Sequence, residues 1–244
     1  MNLIASFKQG LKKTLRSRGY ELYKRPWLPR GVDPWETIQA LKPDFSPEVV
    51  LDVGANEGET ALRLSDSFPS AKVHAFEPVS STFSRLQARV RNRKEIHAHQ
   101  LAIGAAEGKA AISLQAHSTL HSLNAPGDTP PGPVESVTLT TLDRFCSVHR
   151  ISRIHIIKTD TEGHELEVFE GASRLLESGM VDFILVEVAF VPTDRRFVPL
   201  NEVASRLQPF GFGLIGLFDQ RGWTHRLLAE FGDALFARSG ILPR

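Results

Sequence analysis

Val49-Val50-Leu51-Asp52-Val53-Gly54-Ala55-Asn56-Glu57-Gly58 decides how this chain is read. Val49, Val50, Leu51 and Val53 make the apolar run of a strand covered on both faces, as in a parallel sheet. Asp52 places an acid near its end. Gly54 and Gly58 permit positive φ and let a ligand approach the backbone closely. The pattern predicts a helix from Thr60 to about Ser67. Its free N–H groups and positive dipole end would face that ligand.

A second apolar run, Val73-His74-Ala75-Phe76, ends in Glu77-Pro78. A carboxylate at the tip of the second strand of a βαβ unit can accept hydrogen bonds from ribose hydroxyls. The unit is therefore expected to bind a nucleoside-containing cofactor. A dinucleotide site would use Gly-x-Gly-x-x-Gly, but here the order is Asp-x-Gly-x-x-x-Gly, with Asn56 in place of the second glycine. Asp52 would repel a diphosphate and suit a cationic amino-acid end. S-adenosyl-L-methionine, with its ammonium, sulfonium and ribose and no phosphate, fits better than NAD. A purely structural glycine turn is the third reading.

The 244 residues suffice for one α/β domain with a short extension. Hydrophobic content of 41% and charged content of 23% are ordinary for a globular protein. The single cysteine, Cys146, rules out an intrachain disulfide framework and a cysteine-based zinc site. A net charge of +1 argues against a general nucleic-acid binder. The charge is uneven, because residues 1–30 hold eight Lys/Arg against Glu21 alone. Leu3, Phe7, Leu11 and Leu15 recur every fourth position among Lys8, Lys12, Lys13 and Arg16, the pattern of a basic amphipathic helix. Such a helix could contact an anionic membrane surface through residues 1–18, or dock its apolar face on the main domain. With no 18-residue apolar run, the expectation is a cytoplasmic protein, peripheral to a membrane if residues 1–18 bind one.

Residues 1–32 read as that helix and a linker, and 33–244 as one domain. Asp33-Pro34-Trp35-Glu36 starts a helix with an N-cap, a first-turn proline and an acid at the third position, and this helix is expected as a flap over the mouth of the sheet. Strands are predicted at 48–53, 72–77, 96–102, 153–159 and 181–188, and near 211–219 and 233–238. Helices are predicted from about 59, at 81–92, from Thr141, at 163–178 and near 200–208. Two period-2 segments, 109–115 and 134–140, read as an antiparallel addition to the core. Residues 116–133 between them are rich in His, Ser, Pro and Gly and read as a lid-like loop. Alternating strands and helices give a doubly wound, seven-stranded, mostly parallel sheet, whose ligands bind beyond the strands' carboxyl ends.

At those ends, Lys158-Thr159-Asp160-Thr161-Glu162-Gly163-His164-Glu165 and Glu187 place charges in otherwise apolar strands. Burying them is costly unless they pair or serve a site. A Lys158–Asp160 or Lys158–Glu187 salt bridge, with acids at a helix start, is the bland alternative. Converging carboxylates could hold Mg²⁺, but the acid density is low and no metal is assigned. Asp160, Glu162 and His164 are the candidate general bases, and Asp160 could equally bind the methionine end of the cofactor. His117 and His121 are weaker candidates for an acceptor site. The other six histidines are not singled out.

The ordered set Asp52-Val-Gly-Ala-Asn-x-Gly58, Phe76-Glu77-Pro78, Leu101-Ala-Ile-Gly104, Thr140-Thr-Leu-Asp143, Lys158-Thr-Asp-Thr-Glu-Gly163-x-Glu165 and Leu185-Val-Glu187-Val resembles the FkbM-type methyltransferase family. The resemblance spans about 48–190, and Thr159 and Thr161 depart mildly from it. It implies a class I, Rossmann-like S-adenosylmethionine-dependent fold and O-methylation of a hydroxyl on a sugar, polyketide or similar metabolite or glycan. It also implies that Asp52, Gly54, Asn56 and Gly58 surround the methionine end, Glu77 the ribose and residues around Ala102 the adenine. A non-catalytic cofactor-binding scaffold and an NAD-dependent oxidoreductase are the competing readings.

Overall fold

The computed structural model describes residues 11, 12, 14, 15, 17, 18, 31–114, 133–191, 197–222 and 229–241. The proposed basic helix of residues 1–18 is thus described at six positions only, and the lid-like loop lies outside the described residues apart from Pro133. No helix among the described residues is long and apolar enough to cross a membrane.

The expected doubly wound sheet is present. Strands β1 (Val49–Val53), β2 (Lys72–Phe76) and β3 (Ile96–His99) run outward in parallel on one side. Strands β7 (Ile154–Thr159) and β8 (Val181–Ala189) run outward in parallel on the other. Strand β10 (Phe231–Arg238), antiparallel to both its neighbours, sits between β8 and β9 (Phe212–Arg221) and completes the order β3-β2-β1-β7-β8-β10-β9. The chain changes direction across the sheet between β1 and β7, so the ligand crevice of such a fold belongs at their carboxyl ends.

Helices cover both faces. On one, α1 (Pro34–Leu41), α2 (Glu59–Ser67) and α3 (Ser80–Val90) cover Val50, Val73 and Ile156. The α1 start is as the sequence predicts: Asp33 Oδ1 accepts from the N–H of Trp35 at 2.8 Å and Glu36 at 3.0 Å. This helix is not a flap across the strand ends. It lies along α2, with Trp35 and Ile38 buried beside Phe68 and Gln39 Nε2 donating to the Ser67 carbonyl. Burying a tryptophan there stabilises more than leaving it over an open mouth.

On the other face lie α4 (Leu142–His149), α5 (Glu165–Glu170), α6 (Ser173–Ser178) and α7 (Leu200–Leu207). The helix expected over 163–178 is two helices, broken at Gly171. The backbone there passes so close to Gly104 that a Cβ on Gly171 would overlap the Gly104 carbonyl oxygen. Asp143 supports the break by accepting from the N–H of Arg174 and Leu175, each at 3.0 Å, which satisfies donors at the new helix start.

The strand expected over 96–102 is also interrupted. After β3 the chain leaves the main sheet, and β4 (Ala102–Ile103) joins β5 (Gly108–Ser113) and β6 (Val134–Thr140) in a separate sheet of order β4-β6-β5. The β5–β6 pair is antiparallel, as expected. Ala102, Ile112 and Val137 form a small core with Val79.

Gly171 joins this sheet's root to the helical layer. Gly171→Ala is expected to lower stability by about 1–3 kcal/mol through overpacking, seen as a lower urea midpoint with an unchanged m-value.

Candidate active site

Two clefts meet at the carboxyl ends of β1 and β7. The first, with about 680 Å³ of empty space, is lined by Gly54, Asn56, Glu77, Val79, Ala102 and Ile112, with Asp160, Thr161 and Glu162 at its inner end. The second, about 660 Å³, is lined by Glu59, Thr60 and Arg63 of α2, Lys158, Asp160 and Glu187 of the sheet, and Asp219, Arg221 and Asp233. Asp160 lines both.

The glycine loop shapes the first cleft. Gly54 has φ +77, and a Cβ there would overlap the Asp160 carbonyl oxygen. Gly54 and Ala55 donate to the Phe76 carbonyl at 3.1 and 2.9 Å, which ties the loop to β2. Asn56 is also left-handed, at φ 47, a conformation asparagine tolerates better than most residues. Its Oδ1 is buried without a hydrogen-bond partner among the described residues. Gly58, φ +87, lies behind the cleft against Leu86.

Glu77 projects into the cleft. Its Oε1 accepts from the Val79 N–H at 2.9 Å, and burial pushes its carboxyl up to about 7 despite that bond and another from the Asn56 backbone. Ala102, Ile103 and Ile112 of the small sheet make an apolar wall beside Leu101. An unpartnered amide oxygen, a carboxylate and an apolar wall fit the cationic amino-acid end, ribose and adenine of S-adenosylmethionine.

Beneath the loop the sheet is charged. Asp52, Lys158, Glu187 and Asp233 continue the face that carries Val50, Ile156, Leu185 and Leu235 one pleat away. Lys158 is buried, with its Nζ 2.6 Å from Asp160 Oδ2. Burial alone would push its pKa down, but Asp160, Asp52 and Asp233 outweigh that and raise it. Burial likewise works against ionised Asp160, yet Lys158 and a hydrogen bond from Glu187 hold it below the usual carboxylate range. Burial and the neighbouring Asp160 charge push Glu187 up to about 10, so it carries the proton of this pair at neutral pH. Burial pushes Asp52 and Asp233 up to about 6.

The strand does not stay extended through residue 162, as one-sided alternation of 158, 160 and 162 requires. It ends at Thr159, Asp160 N–H bonds to the Val53 carbonyl, and the chain turns through Glu162 at φ 53 and Gly163 at φ 100. Glu165 pins the turn, with Oε1 accepting from the Thr161 N–H and hydroxyl, both at 2.8 Å. The turn nevertheless brings one oxygen each of Asp160, Glu162 and Glu187 within 4.8 Å of one another, a group able to hold a cation. The Lys158 ammonium and the Glu187 proton already supply counter-charge there.

Of the residues singled out from sequence, Gly54, Asn56, Glu77, Ala102, Asp160 and Glu162 line the first cleft. Asp52 is fully buried behind it, and both its oxygens lack hydrogen-bond partners among the described residues. His164 lines neither cleft. Its ring sits at the start of α5 by the Thr161 backbone, and burial lowers its pKa. His117 and His121 lie outside the described residues. Sequence reasoning missed Asp233 and the pinning role of Glu165. The signal for Asp233 was a lone acid in Phe231-Gly-Asp-Ala-Leu-Phe.

A crevice at the switch point of a doubly wound sheet, with a ribose-competent carboxylate and no phosphate-binding glycine pattern, defines the class of S-adenosylmethionine-dependent transferases. The chain matches the methyltransferase FkbM domain over residues 52–214 and belongs to that family. It is 31% identical over 147 residues to hexuronic acid methyltransferase AglP of Haloferax volcanii, covering 58% of this chain and 56% of the relative. It is 25% identical over 159 residues to Methyltransferase 1 of Beauveria bassiana, covering 57% and 64%. Identity to 2-O-methyltransferase NoeI of Sinorhizobium fredii is 24% over 192 residues, covering 69% and 73%. The chain thus spans less than two thirds of the length of the first two. Among solved structures, Aeropyrum pernix fibrillarin with bound S-adenosyl-L-methionine is a distant likeness (14% identity, TM-score 0.44, 79% and 66% covered). Magnesium protoporphyrin IX methyltransferase from Synechocystis is another (10%, 0.47, 95% and 97%). Membership in the family sets the NAD-dependent oxidoreductase reading aside and makes S-adenosylmethionine the cofactor.

Lys158→Met should cost about 3–5 kcal/mol of folding stability, because it strands buried carboxylates without their cation. Equilibrium urea unfolding measures this, and a loss under about 1 kcal/mol would show that the ammonium is not what holds the acids.

Proposed function

We propose that this protein transfers the methyl group of S-adenosylmethionine to a hydroxyl oxygen of a sugar-containing acceptor, with Asp160 as the base. The observation that carries this reading is that, among the described residues, Asp160 alone of the charged side chains borders both clefts. The first has the wall and polar groups for a nucleoside. The second offers carboxylates, guanidinium groups and a hydroxyl, the donors and acceptors that a hydroxyl-rich ligand needs. The hexuronic acid and 2-O-methyltransferase activities named for two relatives support a sugar.

In this reading Gly54 and Asn56 hold the methionine end of the cofactor, Asp52 sets the local negative field from below, and Gly58 keeps the start of α2 close. Glu77 accepts from the ribose, and Ala102 and its neighbours flank the adenine. When bound, the cofactor supplies an electrophilic methyl group on a sulfonium. Asp160 orients the acceptor hydroxyl and takes its proton on a carboxylate oxygen as the oxygen is alkylated. An oxygen gaining a third bond becomes strongly acidic, so even a carboxylate held at low pKa suffices. Lys158 keeps Asp160 ionised and Glu187 fixes its other side. Alignment supplies most of the acceleration, ~7–11 kcal/mol, and the base about 10²–10⁴-fold. Glu162 lines only the first cleft and His164 neither, which ranks both behind Asp160 as the base.

Incubating the protein with S-adenosylmethionine and a panel of neutral and acidic sugar acceptors, read by mass spectrometry, tests the reaction. Asp160→Asn is expected to lower turnover about 100-fold or more while S-adenosylhomocysteine still binds; undiminished turnover removes Asp160 as the base. A second prediction concerns pH. The ionised form of Glu77 accepts ribose hydroxyls, and its pKa in the free protein is about 7. Calorimetric affinity for S-adenosylhomocysteine should therefore rise with pH up to about 7 and level off above it. Glu77→Gln should weaken binding and flatten the slope, leaving only the shallower contribution of Asp52 below about 6.

A further inference from the structure

Four histidines gather on the sheet at a groove whose lining, among the described residues, is separate from that of both clefts, although His99 stacks on Phe76 of the first. His97 and His99 alternate along β3 and so share one face, and His74 on β2 stands in register with His97. His149, the last residue of α4, closes over them. The His74 ring centroid lies 5.2 Å from that of His97, 5.3 Å from His99 and 6.2 Å from His149, and His99 lies 5.8 Å from His149. Three separate elements thus deliver imidazoles to one place.

From this convergence we propose a transition-metal site in which His74 Nδ1 and His99 Nε2 supply two ligands and His149 the third. The two nitrogens are 3.0 Å apart and share one N–H···N hydrogen bond, whose proton an ion would displace. With metal–nitrogen bonds of ~2.0–2.1 Å, adjacent imidazole ligands lie roughly 2.9–3.4 Å apart, so this pair is spaced as one edge of a coordination polyhedron. Two ligands are preformed and the third is not. Among the described residues no third imidazole nitrogen completes a triad within 4.8 Å. His149 is exposed at a helix end, and the proposed site requires its side chain to turn toward the pair.

The surroundings select the class of ion. A neutral imidazole offers one ring lone pair to such an ion. A groove of about 1000 Å³ gives access from solvent and shares no lining residue with the cofactor cleft. Among the described residues it contains Lys72, Arg150 and Arg153 and a single carboxylate, Glu48. Arg153 is paired with Asp182 at 2.6 Å. Magnesium and calcium require several oxygens and would be repelled. Zinc, nickel and copper form strong bonds to neutral imidazole and bind against such a field. The alternative is that the rings only fill space, since Phe76 stacks on His99 and Phe145 on His149. In that case the facing nitrogens are one N–H···N hydrogen bond and no ion binds.

The test is calorimetric titration of the chelator-treated full chain with Zn²⁺, alongside His99→Phe, which keeps an aromatic ring, and His149→Gln, an exposed helix-end change. We expect one ion per chain, bound in the micromolar range by the parent and weakened at least about tenfold in each variant. S-adenosylhomocysteine affinity should be unchanged in both, which reports an intact fold. Co²⁺ substitution should give visible absorption bands in the parent that both variants lose. Failure of the parent to bind Zn²⁺, or equal binding by His149→Gln, overturns the site and shows that the histidines are packing residues or that zinc sits elsewhere. His149→Gln keeps the test decisive even where His99→Phe misfolds.

Discussion

One buried ammonium organises the strand ends on which this fold's chemistry depends. Lys158 faces Asp160 directly, with Asp52 and Asp233 close enough to raise its pKa. Taking so many charges out of water is unfavourable unless they compensate one another. The cluster does so in two ways. The ammonium stabilises Asp160 as the anion, and the Asp160 charge keeps Glu187 protonated, which turns it into a donor. A carboxylate gripped from two sides has little rotational freedom, and that rigidity is what a group placed between two ligands needs.

Backbone geometry sets where this carboxylate can stand. The loop after β1 and the turn after β7 approach so closely that Gly54 leaves no room for a side chain beside the Asp160 carbonyl. The Asp160 N–H is in turn bonded to the last residue of β1. The glycine loop and the proposed base are therefore two sides of one backbone junction. The small sheet extends the same logic outward. Ile112 reaches the cleft because β5 pairs with β6, which carries β4 on its other edge. An excursion from the main sheet thereby supplies a wall for the ligand.

What the sequence discloses depends on the range of the interaction. The β1 apolar run, the glycine loop, Glu77 and the Asp33 cap are local, and the structure matches each. Lys158, Asp160 and Glu187 stand out because charges interrupt apolar strands, although their mutual arrangement requires neighbouring strands that the sequence does not identify. The breaks at Gln100 and Gly171 are not legible locally. Each arises where the chain passes another element, the small sheet in one case and the Gly104 backbone in the other. The sequence also offers no reason to group His74, His97, His99 and His149, since His149 follows His99 by 50 residues and His74 by 75.

The two ionisable clusters pull stability in opposite directions with pH. Asp52 and Asp233 have folded values near 6, above those of the unfolded chain, so the stability they contribute is full below about 4 and is lost as pH rises through about 6. His74 and His99 have folded values near 4, below the ordinary 6.5, so their contribution is present above about 6.5 and is lost as pH falls toward about 4. At neutral pH the histidine face is relaxed and the acid face carries the cost. The acid face is also the one that a cationic cofactor and a hydroxyl-bearing acceptor would enter. Electrostatic strain in the free protein is thus concentrated where ligands can relieve it, as expected when binding free energy is realised through charge rather than through added apolar area.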